Sequence, residues 1–81
     1  MYHAFEVTNM YPRIRDLRGD HDLSQTAVAK LLGMSQTGYS KYETGENDIP
    51  TRVLLVLADL YGVSVDYLLG RTDIKKPYPK R

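Results

Sequence analysis

The chain of 81 residues contains no cysteine, which excludes disulfide bonds and thiolate metal sites. It has no apolar run that approaches the roughly 18 residues needed to span a membrane. Its first residues lack the basic and apolar blocks of a signal peptide. The formal net charge of +1 is too small to mark a nucleic-acid-binding protein by itself. These absences predict a soluble, cytoplasmic protein without a membrane partner, stabilised by one small core alone or together with a second subunit.

Residues 25–43 predict two short helices that meet at a tight corner. Four apolar residues at helical spacing share one face of the first of these helices: Ala27, Val28, Leu31 and Leu32. Gly33 interrupts this pattern, and glycine readily adopts the positive φ that closes a helix. Ser35 is a suitable N-cap for the next helix, on which Tyr39 and Tyr42 form a second apolar stripe. Neither helix is long enough to be stable alone, so the two must share a core.

One more helix is predicted before this pair, and two more are predicted after it. An apolar stripe over residues 10–19 predicts the first helix. Residues 51–61 predict a fourth helix with a wide apolar face, capped by Thr51, and residues 65–69 predict a short fifth helix capped by Ser64. The sequence therefore predicts an all-α fold of five short helices.

The two ends of the chain are predicted to lie outside a helical domain of residues 10–70. Residues 1–9 alternate only loosely between apolar and polar, and are predicted to be an N-terminal arm that is a strand, a dimer-forming segment or a frayed end. Residues 71–81 contain two prolines and five basic residues, which predicts an extended or disordered basic C-terminal tail. This tail either solubilises the protein or follows a DNA backbone or a protein partner.

Basic residues are concentrated in this tail and in the first predicted helix, which contains Arg13, Arg15 and Arg18. Arg13 and Arg15 are predicted to be exposed to solvent and not bound to phosphate. If DNA is the partner, the protein reaches it through a local patch of positive charge and not through the field of the whole molecule.

One side of the third predicted helix carries no apolar bulk. The residues on this side are small or slender and polar: Gln36, Thr37, Ser40 and Lys41. Such a surface can simply meet solvent, or it can lie in the major groove of DNA. There a glutamine amide can bond adenine N6 and N7, a lysine can donate to guanine O6 and N7, and a threonine methyl can contact thymine.

Residues 10–70 resemble the Cro/phage-repressor type of helix-turn-helix domain, known as the XRE family. The resemblance rests on Gln25 at the start of the second helix, on the Gly33 corner, and on two later motifs. These are YETG at residues 42–45 and LADLYGVSVDYLLG at residues 57–70. The resemblance implies a compact, five-helix, lambda-repressor-like DNA-binding domain in which helices 2 and 3 form the helix-turn-helix.

The resemblance also implies which residues contact DNA. Gln36, Thr37 and Lys41 match the base-reading positions of the family. Gln25 is similar to the family glutamine that binds a phosphate oxygen, at a helix N-terminus that suits an anion. Ser40 is then expected to position the protein through a backbone or water-mediated contact.

Other positions match the family in structure or depart from it. Arg18 and Glu43 match a pair that forms a salt bridge in relatives and ties the first helix to the third. Gly38 departs from the pattern, since it lies inside the recognition helix. A glycine at such a position costs about 1 kcal/mol of helix stability relative to alanine. Glu46 and Asp48 lie in a loop that in relatives runs near the phosphates and often carries basic residues, so their charge should weaken DNA binding.

The resemblance implies a sequence-specific, double-stranded DNA-binding transcriptional regulator, with repression as the expected direction. It would bind its operator as a homodimer, with one recognition helix per major groove, half-sites about 34 Å apart, and helix five and a terminal segment in the dimer surface. The alternative is a protein-interaction module of the same fold, an antitoxin or an anti-repressor, whose partner is a protein such as a toxin.

The cluster Asp20-His21-Asp22 invites the hypothesis of an enzyme or a metal site. A metal-binding histidine needs other ligands at fixed spacing, and the chain has only two histidines. The sequence also contains no nucleophile motif and no glycine-rich phosphate loop. No enzymatic activity, metal or cofactor is therefore expected.

Overall fold

Five helices account for most of residues 11–79, the range that the computed structural model of the protein describes. In chain order they are α1 (Pro12–Asp20), α2 (Gln25–Leu32), α3 (Gln36–Thr44), α4 (Thr51–Tyr61) and α5 (Val65–Leu68). No strand occurs within this range, so the predicted all-α, five-helix fold is confirmed. The arm predicted over residues 1–9 lies outside the described residues. None of the five helices is long and apolar enough to cross a membrane.

Serine and glycine fix several of the helix ends through local chemistry. Ser24, Ser35 and Ser64 precede α2, α3 and α5, and each side-chain oxygen accepts a hydrogen bond of 3.0 Å from the backbone N–H three residues later. Gly33 and Gly62 end α2 and α4 with φ of 70° and 65°. A Cβ built at either glycine would meet nothing within 4 Å, so backbone conformation and not space explains the glycine.

Several predicted helix ends differ from the structure by one or two residues. Thr51 is the first residue of α4 and not its cap, so that prediction was wrong. The cap position belongs to Pro50, which makes no side-chain hydrogen bond and has an extended backbone with φ of −60° and ψ of 149°. Its ring fixes this φ and thereby determines where the helix begins. The first helix also continues through Gly19 to Asp20.

All five helices contribute to a single core. The buried apolar residues are Ile14, Leu17, Val28, Ala29, Leu32, Tyr39, Ile49, Val53, Leu57, Ala58, Tyr61, Val63 and Leu68. The prediction that Leu31 lies on the buried face of α2 was wrong, since this residue is 60% exposed. At about 100° per residue, the arc defined by Val28, Ala29 and Leu32 leaves Leu31 on its solvent side.

The C-terminal segment after α5 is extended and lies against α1. The guanidinium of Arg13 donates hydrogen bonds to the carbonyl oxygens of Tyr67, at 3.0 Å, and of Thr72. It also pairs with the carboxylate of Asp73 at 2.7 Å and lies 4.0 Å from the centre of the Tyr67 ring. Arg13 is therefore half-buried, and the prediction that it is exposed was wrong.

Two further hydrogen bonds hold this segment against α5. The backbone N–H of Ser64 donates to the carbonyl of Lys75 at 2.9 Å. The hydroxyl of Tyr78 donates to the carboxylate of Asp66 at 3.0 Å. Because the Ser64 and Asp66 contacts flank the start of α5, the segment follows the side of the molecule formed by α1 and α5.

Candidate nucleic-acid interface

A short corner sets the direction of α3 relative to α2. The left-handed conformation of Gly33 lets its own N–H and that of Met34 bond back to the last turn of α2, the latter to Ala29 at 3.0 Å. Only Met34 and the cap residue Ser35 then separate the corner from the first residue of α3. Since Ala29 is small and buried, α2 and α3 can pack closely on each other.

The two sides of α3 have opposite characters. Tyr39 is fully buried, and Tyr42 packs edge-on against it with ring centres 6.3 Å apart. The residues predicted to read bases all lie at exposed positions: Gln36, Thr37 and Lys41. The body of the protein therefore anchors one side of the helix, while the polar side is open to a partner.

The predicted phosphate contacts, Gln25 and Ser40, are both half-buried. Gln25 is the first residue of α2 and lies next to Gln36, the first residue of α3, across the corner. The Nε2 of Gln36 donates to the Oε1 of Gln25 at 2.6 Å. The sequence analysis assigned these glutamines separate roles and missed their contact. The one feature of the sequence that indicates this contact is that both residues occupy the first turn of helices that meet at the same corner.

An ion pair between the half-buried Arg18 and the buried Glu43 adjoins Gln25. The Nε of Arg18 donates to Glu43 Oε2 at 2.6 Å, and its Nη2 donates to Oε1 at 3.0 Å. The same guanidinium donates to the carbonyl of Leu23 at 2.9 Å, and Gln25 Nε2 donates to Glu43 Oε1 at 2.9 Å. Because a bidentate pair is rigid, it ties α1 to the last turn of α3.

The surroundings of Glu43 determine its charge. Burial alone would raise the pKa of this carboxyl, but hydrogen bonds from Arg18 and Gln25 and the nearby Tyr39 hydroxyl outweigh burial and hold the pKa below its ordinary value. Burial, followed by the adjacent carboxylate, raises the pKa of Tyr39, and the same two causes raise the pKa of Tyr61 to about 12. Neither tyrosine hydroxyl completes a hydrogen bond of normal geometry within residues 11–79.

Gly38 has a local explanation in the structure. A Cβ at this position would lie 3.1 Å from the end of the Met34 side chain and 3.2 Å from the oxygen of Ser35 that caps α3. The glycine therefore leaves room for the N-cap of the helix on which it lies, at the cost of some helix propensity.

His21, the central residue of the Asp20-His21-Asp22 cluster, has a structural role. The Nδ1 of His21 donates to the carbonyl of Leu17 at 2.9 Å, at the end of α1, and its ring lies 5.0 Å from that of Tyr61. Within the described part of the chain, no group of three or more histidine, aspartate or glutamate side chains could hold a metal ion.

Comparison with known proteins places this arrangement among helix-turn-helix domains. The sequence model of the family described as Helix-turn-helix matches residues 14–68, which include all of α2 to α5 and most of α1. The match therefore contains both the corner at Gly33 and the whole of α3.

Three relatives show the range of proteins that the chain resembles. It is 41% identical over 69 residues to the uncharacterized HTH-type transcriptional regulator YobD of Bacillus subtilis, covering 85% of this chain and 62% of YobD. It is 40% identical over 60 residues to the cryptic phage CTXphi transcriptional repressor RstR of Vibrio cholerae, covering 73% of this chain and 53% of RstR. It is 30% identical over 64 residues to the antitoxin PezA of Streptococcus pneumoniae, covering 79% of this chain and 40% of PezA. The chain thus spans 40% to 62% of the length of these relatives.

Proposed function

Because the chain belongs to the XRE-type helix-turn-helix family, we propose that it is a sequence-specific, double-stranded DNA-binding transcriptional regulator. The observation that carries the proposal is the two-sided character of α3: Tyr39 is buried, whereas Gln36, Thr37 and Lys41 lie at exposed positions. A helix with this division can enter the major groove and still be held by the protein body. The similarity to a protein named as a repressor supports repression as the direction of regulation.

Three side chains of α3 supply the base contacts in this proposal. The amide of Gln36 can bond adenine N6 and N7, the ammonium of Lys41 can donate to guanine, and the methyl of Thr37 can contact thymine. Gln25, at the start of α2, and Ser40 fix the position of the protein through phosphate contacts. The exposed acidic residues of the loop after α3 lower the affinity by repelling phosphates.

The proposal includes a cytoplasmic homodimer on the operator. Two recognition helices must reach half-sites about 34 Å apart on one face of the DNA. Exposed apolar residues near α5, Leu55 on α4 and Tyr78 in the C-terminal segment, border a groove of about 370 Å³ between these elements. A second copy of the chain that covers this groove would use helix five and a terminal segment in the dimer surface.

Selection of bound duplexes from a random pool tests the proposal, together with measurement of the mass of the complex in solution. The expected result is an enriched sequence with two related half-sites, bound by two protein copies with an affinity that falls steeply as salt is raised. A protein that shows no salt-dependent binding to any duplex would contradict the proposal.

Lys41→Ala sharpens this test. The substitution should cost about 1–3 kcal/mol of binding free energy and relax the preference at one base pair. The matched control is Lys30→Ala, which removes an equal charge from an exposed position on α2 and should leave the sequence preference unchanged. If Lys41→Ala selects the same sequences as the wild type, Lys41 does not read bases.

The similarity to the antitoxin PezA supports a second candidate function, a protein-interaction module that neutralises a toxin. An antitoxin usually binds its own operator too, so DNA binding does not separate the two functions. Co-purification of the chain with a small toxic protein from its own cells would favour the antitoxin. Selective duplex binding without such a partner would favour the regulator.

A further inference from the structure

A continuous row of hydrogen bonds connects α1 to the first residue of α3. Arg18 donates to both carboxylate oxygens of Glu43, at 2.6 Å and 3.0 Å. Glu43 Oε1 also accepts from Gln25 Nε2 at 2.9 Å, and Gln25 Oε1 accepts from Gln36 Nε2 at 2.6 Å. The row therefore runs from Arg18 on α1 through the buried carboxylate of Glu43 to an exposed amide on the polar side of α3.

Glu43 sets the direction of every bond in this row. An ionised carboxylate can only accept hydrogen bonds, whereas an amide has one end that donates and one that accepts. Gln25 must therefore turn its NH2 group to Glu43 and its oxygen to Gln36. Gln36 must in turn offer its NH2 group to Gln25. The guanidinium of Arg18 keeps the carboxylate ionised, because an opposite charge in contact favours the charged form.

We propose that Glu43 is a positioning residue for base recognition, whose carboxylate fixes the amide orientation of Gln36 through Gln25. This inference rests on the proposed DNA-binding function. Glu43 is buried and acts without touching DNA, because Gln25 stands between it and the base-reading side of α3.

The orientation of Gln36 matters because a base edge is an ordered pattern of donors and acceptors. Adenine presents the N7 acceptor beside the N6 donor in the major groove. A glutamine amide matches this pair in one orientation only, and after a half-turn it would oppose donor to donor and acceptor to acceptor. Gln36 uses one N–H in its bond to Gln25, so its second N–H and its oxygen remain for the base.

Glu43→Gln tests the inference, because it preserves the shape of the side chain but adds a donor. Both orientations of Gln25, and hence of Gln36, then become available. The probe is the duplex selected by the wild-type protein, with each base pair replaced in turn by the other three. Gln36→Ala first identifies the pair that Gln36 reads. Glu43→Gln should lose about fivefold or more of the discrimination at that pair, and none at the pairs read by Thr37 and Lys41.

Arg18→Lys is the matched control for a purely structural role. Lysine retains the positive charge that keeps Glu43 ionised but loses the planar fork that grips both carboxylate oxygens. The control should melt at a lower temperature than the wild type and keep full discrimination at the pair read by Gln36. All binding measurements are made well below the melting temperature of each variant.

Gln25→Met provides a second route if Glu43→Gln does not fold, since it cuts the row but leaves both hydrogen bonds between Arg18 and Glu43 in place. It should give the same loss of discrimination at the same base pair. If a folded Glu43→Gln or Gln25→Met keeps wild-type discrimination there, the inference is overturned while the proposed function stands. If the wild-type protein selects no duplex, the proposed function fails, and the inference fails with it.

Discussion

Arg13 and Arg18, two arginines on α1, show that the same type of side chain can have different structural roles in different surroundings. Both use the guanidinium fork to bind a carboxylate and a backbone carbonyl. The partner of Arg18 is Glu43, with a side chain only 4% exposed, whereas the partner of Arg13 is Asp73, with a side chain 98% exposed. The first pair ties α1 to the last turn of the candidate DNA-reading helix, and the second holds the C-terminal segment.

Burial of the partner determines how much each ion pair contributes to the free energy of unfolding. Removing one member of a buried pair leaves an uncompensated charge in the protein interior, which is strongly destabilising. An exposed pair gains little, because water and salt screen the charges and two long side chains must be ordered. The comparison therefore predicts that the stability of the domain depends on Arg18 far more than on Arg13.

Arg18→Ala should have the largest effect. It should lower the free energy of unfolding by about 3–5 kcal/mol, because it leaves Glu43 buried and unpaired. Urea unfolding followed by circular dichroism measures this loss, with Arg15→Ala as the control from an exposed position on the same helix. Equal unfolding curves for the two variants would show that the Arg18–Glu43 pair does not stabilise the domain.

Acid should weaken the Arg18–Glu43 pair and thereby lower the stability of the folded protein. The pKa of Glu43 is lower in the folded protein than its ordinary value of about 4.3. Its contribution to stability is therefore complete above the unfolded pKa and is lost as the pH falls through the folded pKa. Below about pH 5, the wild type should lose stability more steeply than Glu43→Gln. Parallel pH dependences of the two melting temperatures would show that this carboxylate does not contribute.

Arg13→Ala should have the smallest effect on global stability, about 1 kcal/mol or less, since its ion-pair partner is exposed. Its effect should appear locally, as faster hydrogen exchange at the Ser64 amide, which bonds to Lys75, and faster tryptic cleavage after Lys75. Asp73→Ala is the control, since it leaves the carbonyl and ring contacts of Arg13 intact. A loss of stability from Arg13→Ala as large as that from Arg18→Ala would overturn the ranking.

Local chemistry explains which features could be predicted from the sequence. The Ser35 cap and the Gly33 corner each depend on residues within a few positions along the chain, and both occur as expected. The buried role of Tyr39 followed from helical spacing alone. The prediction that Thr51 caps α4 was wrong because Pro50, one residue earlier, determines where α4 begins.

Contacts between distant parts of the chain could not be predicted in the same way. The partners of Arg13 lie 54 to 60 residues further along the chain, so its first-helix position predicted exposure. The bond between Gln25 and Gln36 depends on the angle at which α2 and α3 meet, which residue types alone do not specify. The DNA contacts assigned to Gln36, Thr37 and Lys41 stay predictions until they are tested in binding.

The most direct test of the claim that the polar side of α3 reads DNA compares duplex selection by the wild type and by a triple variant, Gln36→Ala, Thr37→Ala and Lys41→Ala. These substitutions are at exposed positions, so the variant should keep the fold and a melting temperature close to that of the wild type. We predict that the wild type enriches one sequence with two half-sites and that the folded variant enriches none. If the folded variant enriches the same sequence as the wild type, α3 is not the reading element.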